Sequence, residues 1–284
     1  MTQIVPVAVV TGASRGIGNA IVKKLASHGI SCLAIASSPE SIRSIALETL
    51  HKQQRHRALA IDLSNWPEWT QKETHYGIEL QPNTSGNFSL FEMLRSWSTP
   101  DKRYCLDLLV NCAGVTQTTL SVSTPPATIS RIMNVNFMSC VSLCNMAIRQ
   151  MIRDRKYTTS TPQIINIGSV LGSSSLRIPG TSIYASSKAA LNQYSQVLGQ
   201  ETDRLGINVQ TINPGLVRTT NMVQDLDKRS QQQLEQLKGV ENQTVDQIAD
   251  IVWASYTNSM WTRDIFSSHR SLRTLAGKFF CQFL

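Results

Sequence analysis

Tyr184 and Lys188 stand four residues apart in Tyr184-Ala185-Ser186-Ser187-Lys188, the separation at which two side chains share one face of a helix. A free phenol titrates at about pH 10 and is a poor acid at neutrality. An ammonium one turn away stabilises the phenolate and brings proton transfer into a useful range. The pair alone is ordinary helix surface; its companions give it weight. Ser169 closes the apolar run Ile165-Asn166-Ile167-Gly168-Ser169, where its hydroxyl can hydrogen-bond an oxygen on which negative charge grows.

A second group of residues suits phosphate. An opening apolar run leads into Thr11-Gly12-Ala13-Ser14-Arg15-Gly16-Ile17-Gly18, and a helical pattern follows. Gly12 permits a tight turn off a strand. Gly16 and Gly18 remove side chains where backbone approaches a pyrophosphate and where helix packs on sheet. The helix start then offers amide N–H groups and a positive dipole end. The whole loop, Ser14, Arg15 and Ile17 included, is expected to bind a dinucleotide. Charge selects which one. The second strand ends Ala36-Ser37-Ser38 without the acid that a ribose 2′-hydroxyl usually meets, whereas Arg15 and Ser37 suit a 2′-phosphate. NADPH is the expected cofactor, with Asp62 as a partner for the adenine ring.

These residues need a scaffold that brings them to one edge. Apolar runs at 5–10, 31–36, 58–62, 106–111, 163–168 and 208–213 read as strands buried on both faces, separated by helical patterns at 16–28, 40–53, 129–153, 182–205 and 245–258. Strand and helix in alternation predict an α/β fold, a doubly wound parallel sheet of Rossmann type. Ligands of such sheets sit beyond the strand C-termini. Ser169, the turn Asn111-Cys112-Ala113-Gly114 and the turn Asn213-Pro214-Gly215 all leave strands at that edge. The stretch 64–103 is too long for a crossover and reads as an insertion after the third strand. A catalytic domain over 1–260 and a basic, aromatic C-terminal tail over 261–284 complete the division. In the tail, Leu272, Leu275, Phe279 and Phe283 share one helical face and read as a surface helix packed on the body, a lid or membrane contact being the alternative.

Composition narrows the classes. The 284 residues are 41% hydrophobic and 16% charged, enough for one full core. No apolar run approaches the roughly 20 residues of a membrane span. Six cysteines at 32, 105, 112, 140, 144 and 281 form no CxxC pair, and no histidine cluster joins them; reduced, buried thiols and no metal site are expected. The net charge of +8 is scattered, without the dense cationic stripe that nucleic acid requires. The first strand begins almost at once, so no cleavable targeting segment is expected.

Taken together over about 4–260, the glycine cradle, the Asn-Cys-Ala-Gly turn, Asn136, Ser169, the Tyr184–Lys188 pair and the Pro214-Gly215 turn resemble the short-chain dehydrogenase/reductase family. The resemblance implies that Tyr184 is the general acid, that Ser169 orients the carbonyl, and that Lys188 holds the nicotinamide ribose. It implies that Asn136 anchors a water of the proton relay, and that Asn111, Ala113, Gly114, Pro214, Gly215, Val217 and Thr219 line the cofactor. Ile164–Leu171 and the Tyr184 helix are most similar to 3-oxoacyl-[acyl-carrier-protein] reductases; Trp66-Pro67-Glu68-Trp69, Gly77-Ile78-Glu79 and 133–138 are similar to the fungal mitochondrial form. That likeness implies a mitochondrial location and an acidic partner, acyl carrier protein bearing a 3-oxoacyl chain, docked on Arg153, Arg155, Lys156 and Arg204. A reductase of a free ketone, quinone or steroid is the alternative, and a non-catalytic NADP-binding subunit a further one. The strand and Gly-Gly turn that usually close the family's tetramer interface are not recognisable after Asn258, so a homo-oligomer is expected as a dimer through the 129–153 and 182–205 helices, or a tetramer.

Overall fold

Val5, Val7 and Val9 pack into one core cluster while Ala8 and Val10 pack into another, and all five are buried. A strand apolar on both faces needs cover on both. The structure, a computed structural model, describes residues 2–80, 83–158, 160–217 and 242–266, with side chains to 258. The order is β1 (Gln3–Thr11), α1 (Gly16–Ser27), β2 (Ser31–Ala36), α2 (Pro39–Arg43), β3 (His56–Ala60), β4 (His75–Leu80), β5 (Asn83–Phe88), α3 (Glu92–Trp97) and β6 (Lys102–Asn111). There follow α4 (Pro126–Met133), α5 (Ser139–Asp154), β7 (Gln163–Ile167), α6 (Val170–Ser173), α7 (Ser182–Thr202), β8 (Asn208–Ile212) and α8 (Val245–Phe266).

The sheet runs β5-β4-β3-β2-β1-β6-β7-β8. From β3 to β8 all neighbours are parallel, as expected. Helices α5 and α7 cover one face through Leu143, Ala147 and Leu198. Helices α1, α2 and α8 cover the other through Ile21, Leu25, Ile42, Val252 and Tyr256. Chain order reverses across β1, between β2 and β6, which opens a crevice at the strand C-termini. Pairing of β1 with β6 slips between Val7↔Leu106 and Ala8↔Leu108, so Asp107 is the extra residue of a bulge. Buried there, Asp107 accepts hydrogen bonds from Ser160 and Tyr256, and burial raises its carboxyl pKa.

Two expectations need correction, and a third gains detail. The 40–53 helix stops at Arg43. Gln54 accepts from the Leu50 and His51 amides and donates to the Ala26 and Ile30 carbonyls, so tertiary hydrogen bonds hold this segment out of the helix its periodicity favours. The expected insertion after β3 has strands and a helix of its own. The β4–β5 hairpin adds two antiparallel strands to the β3 edge, and α3 brings Met93, Leu94 and Trp97 into the core beside Trp69. Its β5, Asn-Thr-Ser-Gly-Asn-Phe, carries almost no apolar periodicity, which hid it. Finally, α8 runs eight residues beyond 258, to Phe266, and past the expected domain boundary at 260. The rest of the tail lies outside the described residues. Among the described residues β8 is the last strand of the sheet.

Candidate active site

The glycine cradle is enforced by sterics. Gly12 (φ +68°) and Gly16 (φ +56°) occupy the left-handed region. A Cβ on Gly12 would lie 2.9 Å from the Ala113 Cα, and one on Gly18 would lie 2.3 Å from the Gly12 oxygen. Glycine is therefore required both where the cradle meets the β6 turn and where α1 packs against it. The Thr11 hydroxyl accepts from the Cys112 and Ala113 amides at 2.9 and 3.0 Å, locking the two turns together. The Ala13 amide reaches the Ile35 carbonyl, and Asn19 holds the Ala13 carbonyl from inside α1. The N-cap of α1, Arg15, makes no side-chain cap, and no acid occupies the first turn. The dipole end thus faces the groove without a competing anion.

From this cradle a groove of about 390 Å³ runs past Ser37 and Asp62 to Ala113 and Gly114. Gly12, Ser14, Arg15, Gly16, Ile17, Gly18, Ser37, Asp62, Ala113 and Gly114, all expected at the cofactor, line it. Larger clefts of about 760 and 780 Å³ flank α1 and the insertion, but neither has a glycine cradle. The Asp62 carboxylate is turned onto the Ser64 amide and hydroxyl at 3.0 and 2.7 Å. Ser38 caps α2 through the Ser41 amide.

At the inner end of the groove several elements converge. Asn136 lies in a single π-helical turn, Asn134–Met138, that joins α4 to α5. Fully buried, it accepts from the Val115 amide, donates to the Val115 carbonyl and donates to Ser187 of α7, at 2.9, 2.9 and 3.0 Å. Val115 lines the groove, and Ser187 lies between Tyr184 and Lys188, so this one amide fastens the Tyr–Lys helix to the groove wall. Lys188 is 4% exposed and donates to the Ile167 carbonyl at the end of β7, 2.8 Å away. Burial pushes the groove-lining Cys112 thiol up to about 12, and the Lys188 ammonium partly offsets that rise, a sign of how near the lysine lies. Ser169 follows Ile167 by two residues and caps α6, accepting from the Leu171 amide. A Cβ on Gly172 would lie 2.6 Å from the Lys188 carbonyl carbon, so the Ser169 turn packs directly on α7. Tyr184 lies one turn before Lys188 on α7 and is 8% exposed.

Other expected residues fall differently. Asn111 is not a groove residue: its side chain is buried against α5, donating to Asn166 at 2.8 Å, because it projects from the strand into the core. Pro214 accepts from the Val170 amide, and the Gly215 amide donates to Gln243, which places this turn beside the Ser169 segment. Val217 is 3% exposed; Thr219 lies outside the described residues. Arg153, Arg155, Lys156 and Arg204 are exposed, but at the far end of α5 and α7. Twenty residues of helix separate Arg204 from Tyr184, about 30 Å. The basic edge therefore does not border this chain's own groove. Among the groove residues that escaped the sequence reading are Arg131 in the last turn of α4 and Val135 in the π turn. Only their spacing before Asn136 could have flagged them.

The comparisons agree with this geometry. A family model described as short chain dehydrogenase matches residues 6–76 and 100–231, leaving out 77–99, where most of the hairpin and α3 lie. The chain is 30% identical over 234 residues to the 3-oxoacyl-[acyl-carrier-protein] reductase FabG of Chlamydia trachomatis, covering 82% of this chain and 81% of that protein. It is 29% identical over 224 residues to carbonyl reductase family member 4 of Xenopus laevis, covering 79% and 80%. A blue fluorescent protein from a metagenomic library, solved in complex with NADPH, superposes with a TM-score of 0.65 at 26% identity, covering 88% and 89%. With its cradle, its Ser–Tyr–Lys cluster and a family match over most of its length, the chain belongs to the short-chain dehydrogenase family of oxidoreductases.

Proposed function

We propose that the chain is an NADPH-dependent reductase of 3-oxoacyl groups carried on acyl carrier protein, forming the 3-hydroxyacyl product. The observation that carries the reading is Asn136, whose one side chain bonds Val115, which lines the groove of the phosphate cradle, and Ser187, on the helix of Tyr184 and Lys188. Similarity to the Chlamydia reductase supports the substrate class. NADPH fits the cradle: Gly12 and Gly18 leave space that a Cβ would fill, Arg15 lies at the groove, and β2 ends without an acid.

When bound, NADPH supplies a hydride from its nicotinamide C4 to the carbonyl carbon. The chain's own residues handle the proton and the charge. The Ser169 hydroxyl, which accepts from Leu171, keeps its own proton to donate to the substrate oxygen. Tyr184 delivers a proton to that oxygen as it becomes an alcohol, and the Lys188 ammonium stabilises the phenolate left behind and holds the nicotinamide ribose. Asn136 keeps α7 at the groove and anchors the water that resupplies the proton. Hydride and proton together convert ketone to alcohol.

A carbonyl reductase acting on a free ketone is the second reading. The Xenopus relative is nearly as similar, and the basic edge lies at the end away from Tyr184. NADPH and NADH oxidation with acetoacetyl thioesters of differing carriers separates the two. The first reading predicts turnover that rises from the bare thioester to the carrier-bound form and prefers NADPH; equal or absent turnover on the carrier rejects it. The proposal includes a mitochondrial location, which imaging of a tagged protein checks. It also includes a homo-oligomer along α5 and α7, whose exposed Ile152 and Val197 suit an interface, and sedimentation checks that.

A further inference from the structure

Helix α7 carries Tyr184 at its third position yet has an unusual start. Its N-cap, Thr181, spends its hydroxyl on the Ile178 carbonyl and gives the helix no side-chain cap, and no acid occupies the first turn. The first turn of any helix has amides without intrahelical partners, and burying one unpaired is costly. Here the partner comes from another part of the chain. The Gln117 side-chain oxygen accepts from the Ile183 amide at 2.7 Å. Gln117 is 0% exposed, and its amide nitrogen is anchored on the Thr119 carbonyl at 2.8 Å and on the Thr124 hydroxyl at 3.3 Å. Thr124 in turn bonds Thr119 and the Leu120 carbonyl, closing the loop on itself.

We propose that Gln117 is a positioning residue for the reduction, capping the Tyr184 helix from the loop after β6 and so fixing where the phenol points. The proposal rests on the reading of Tyr184 as the proton donor. Gln117 does not itself line the groove, whereas its neighbours Thr116 and Thr118 do, so its effect on the helix is read against NADPH affinity. Asn136 grips α7 at Ser187, and Gln117 grips it at Ile183, so Tyr184 lies between them, one residue after Ile183 and three before Ser187. Losing the second grip lets the first turn shift or fray, and a displacement of about 1 Å at a reacting group can cost up to a hundredfold in rate.

The test compares Gln117→Met, which keeps the volume and removes the acceptor, with Gln117→Glu, which keeps an oxygen facing the Ile183 amide. Gln117→Met should lower kcat roughly tenfold to hundredfold, leave NADPH affinity within about twofold, and speed hydrogen exchange at the Ile183 amide. Gln117→Glu should keep more of the exchange protection than Gln117→Met, since an oxygen still faces the Ile183 amide, and should still lose kcat, since its second oxygen opposes the Thr119 carbonyl that the amide nitrogen bonded. Should Gln117→Met not fold, Thr124→Val, which removes only one anchor, should lower kcat several-fold in the same pattern. The proposal is overturned if kcat of Gln117→Met stays at the parental value, if NADPH affinity falls in step with kcat, or if exchange at the Ile183 amide is unchanged. If no ketone is turned over even by the parent, the functional reading fails instead. Exchange at Ile183 then decides the cap on its own: unchanged exchange in Gln117→Met removes it.

Discussion

The two ends of the groove are built in opposite ways. At the cradle end the working groups are backbone, and glycines at 12, 16 and 18 exist to let that backbone turn and approach. At the proposed catalytic end the working groups are side chains, and buried amides of Asn136 and Gln117 bond α7 from separate elements. The difference follows from what each end must do. A phosphate is met by several amides at once, so a local loop suffices. A proton donor must be aimed at one atom, so its helix is held from more than one side.

That contrast makes each end fail in its own way. The largest effect should come from Tyr184→Phe, with kcat lower by about a thousandfold and NADPH affinity unchanged in a binding titration; a tenfold loss of affinity would dissolve the division. Gly18→Ala drives a Cβ to within 2.3 Å of the Gly12 oxygen. It should weaken NADPH binding severely and cost roughly 3 kcal/mol in denaturant unfolding, while a variant that stayed stable and bound NADPH normally would show that the cradle tolerates a side chain.

The sheet beneath the cradle has its own signature, in acid. His56 is fully buried, accepts from the Cys32 amide, and burial lowers its pKa to about 4. The unfolded chain takes up the proton at about pH 6.5, so the neutral ring contributes stability above that pH. This contribution is lost as pH falls from about 6.5 towards 4 and amounts to about 3 kcal/mol. In His56→Gln, melting followed across that window should be much flatter. An unchanged slope would assign the acid sensitivity elsewhere. Smallest is Arg15→Ala, expected to raise the NADPH dissociation constant about tenfold, one charge-assisted contact's worth, with NADH binding unaffected. Equal losses for both would give Arg15 no part in the choice of phosphate.

The two ends were not equally legible. The cradle could be read residue by residue because its physics is local: a positive φ or a close approach demands glycine at the position itself. The parallel body was legible for a similar reason, since strands apolar on both faces say that both faces are covered. Ser169, Tyr184 and Lys188 could be proposed from residue type and helical spacing, but nothing in that spacing points to Gln117, 66 residues before its partner Ile183. The helix expected at 40–53 failed through the same kind of long-range bond, made there by Gln54.

What the order of residues determined alone was the alternation of buried strands with helices, the backbone freedom at the cradle, and which side chains have proton-transfer chemistry. What only the tertiary structure decided was the company those groups keep. Asn111 left the groove for the core, Arg131 entered it, the insertion became two added strands, and the basic edge came to rest about 30 Å from Tyr184. The reason is one of range. Torsional preference and side-chain chemistry belong to single residues and short spacings, whereas a buried hydrogen bond between distant residues exists only once the core has closed around both.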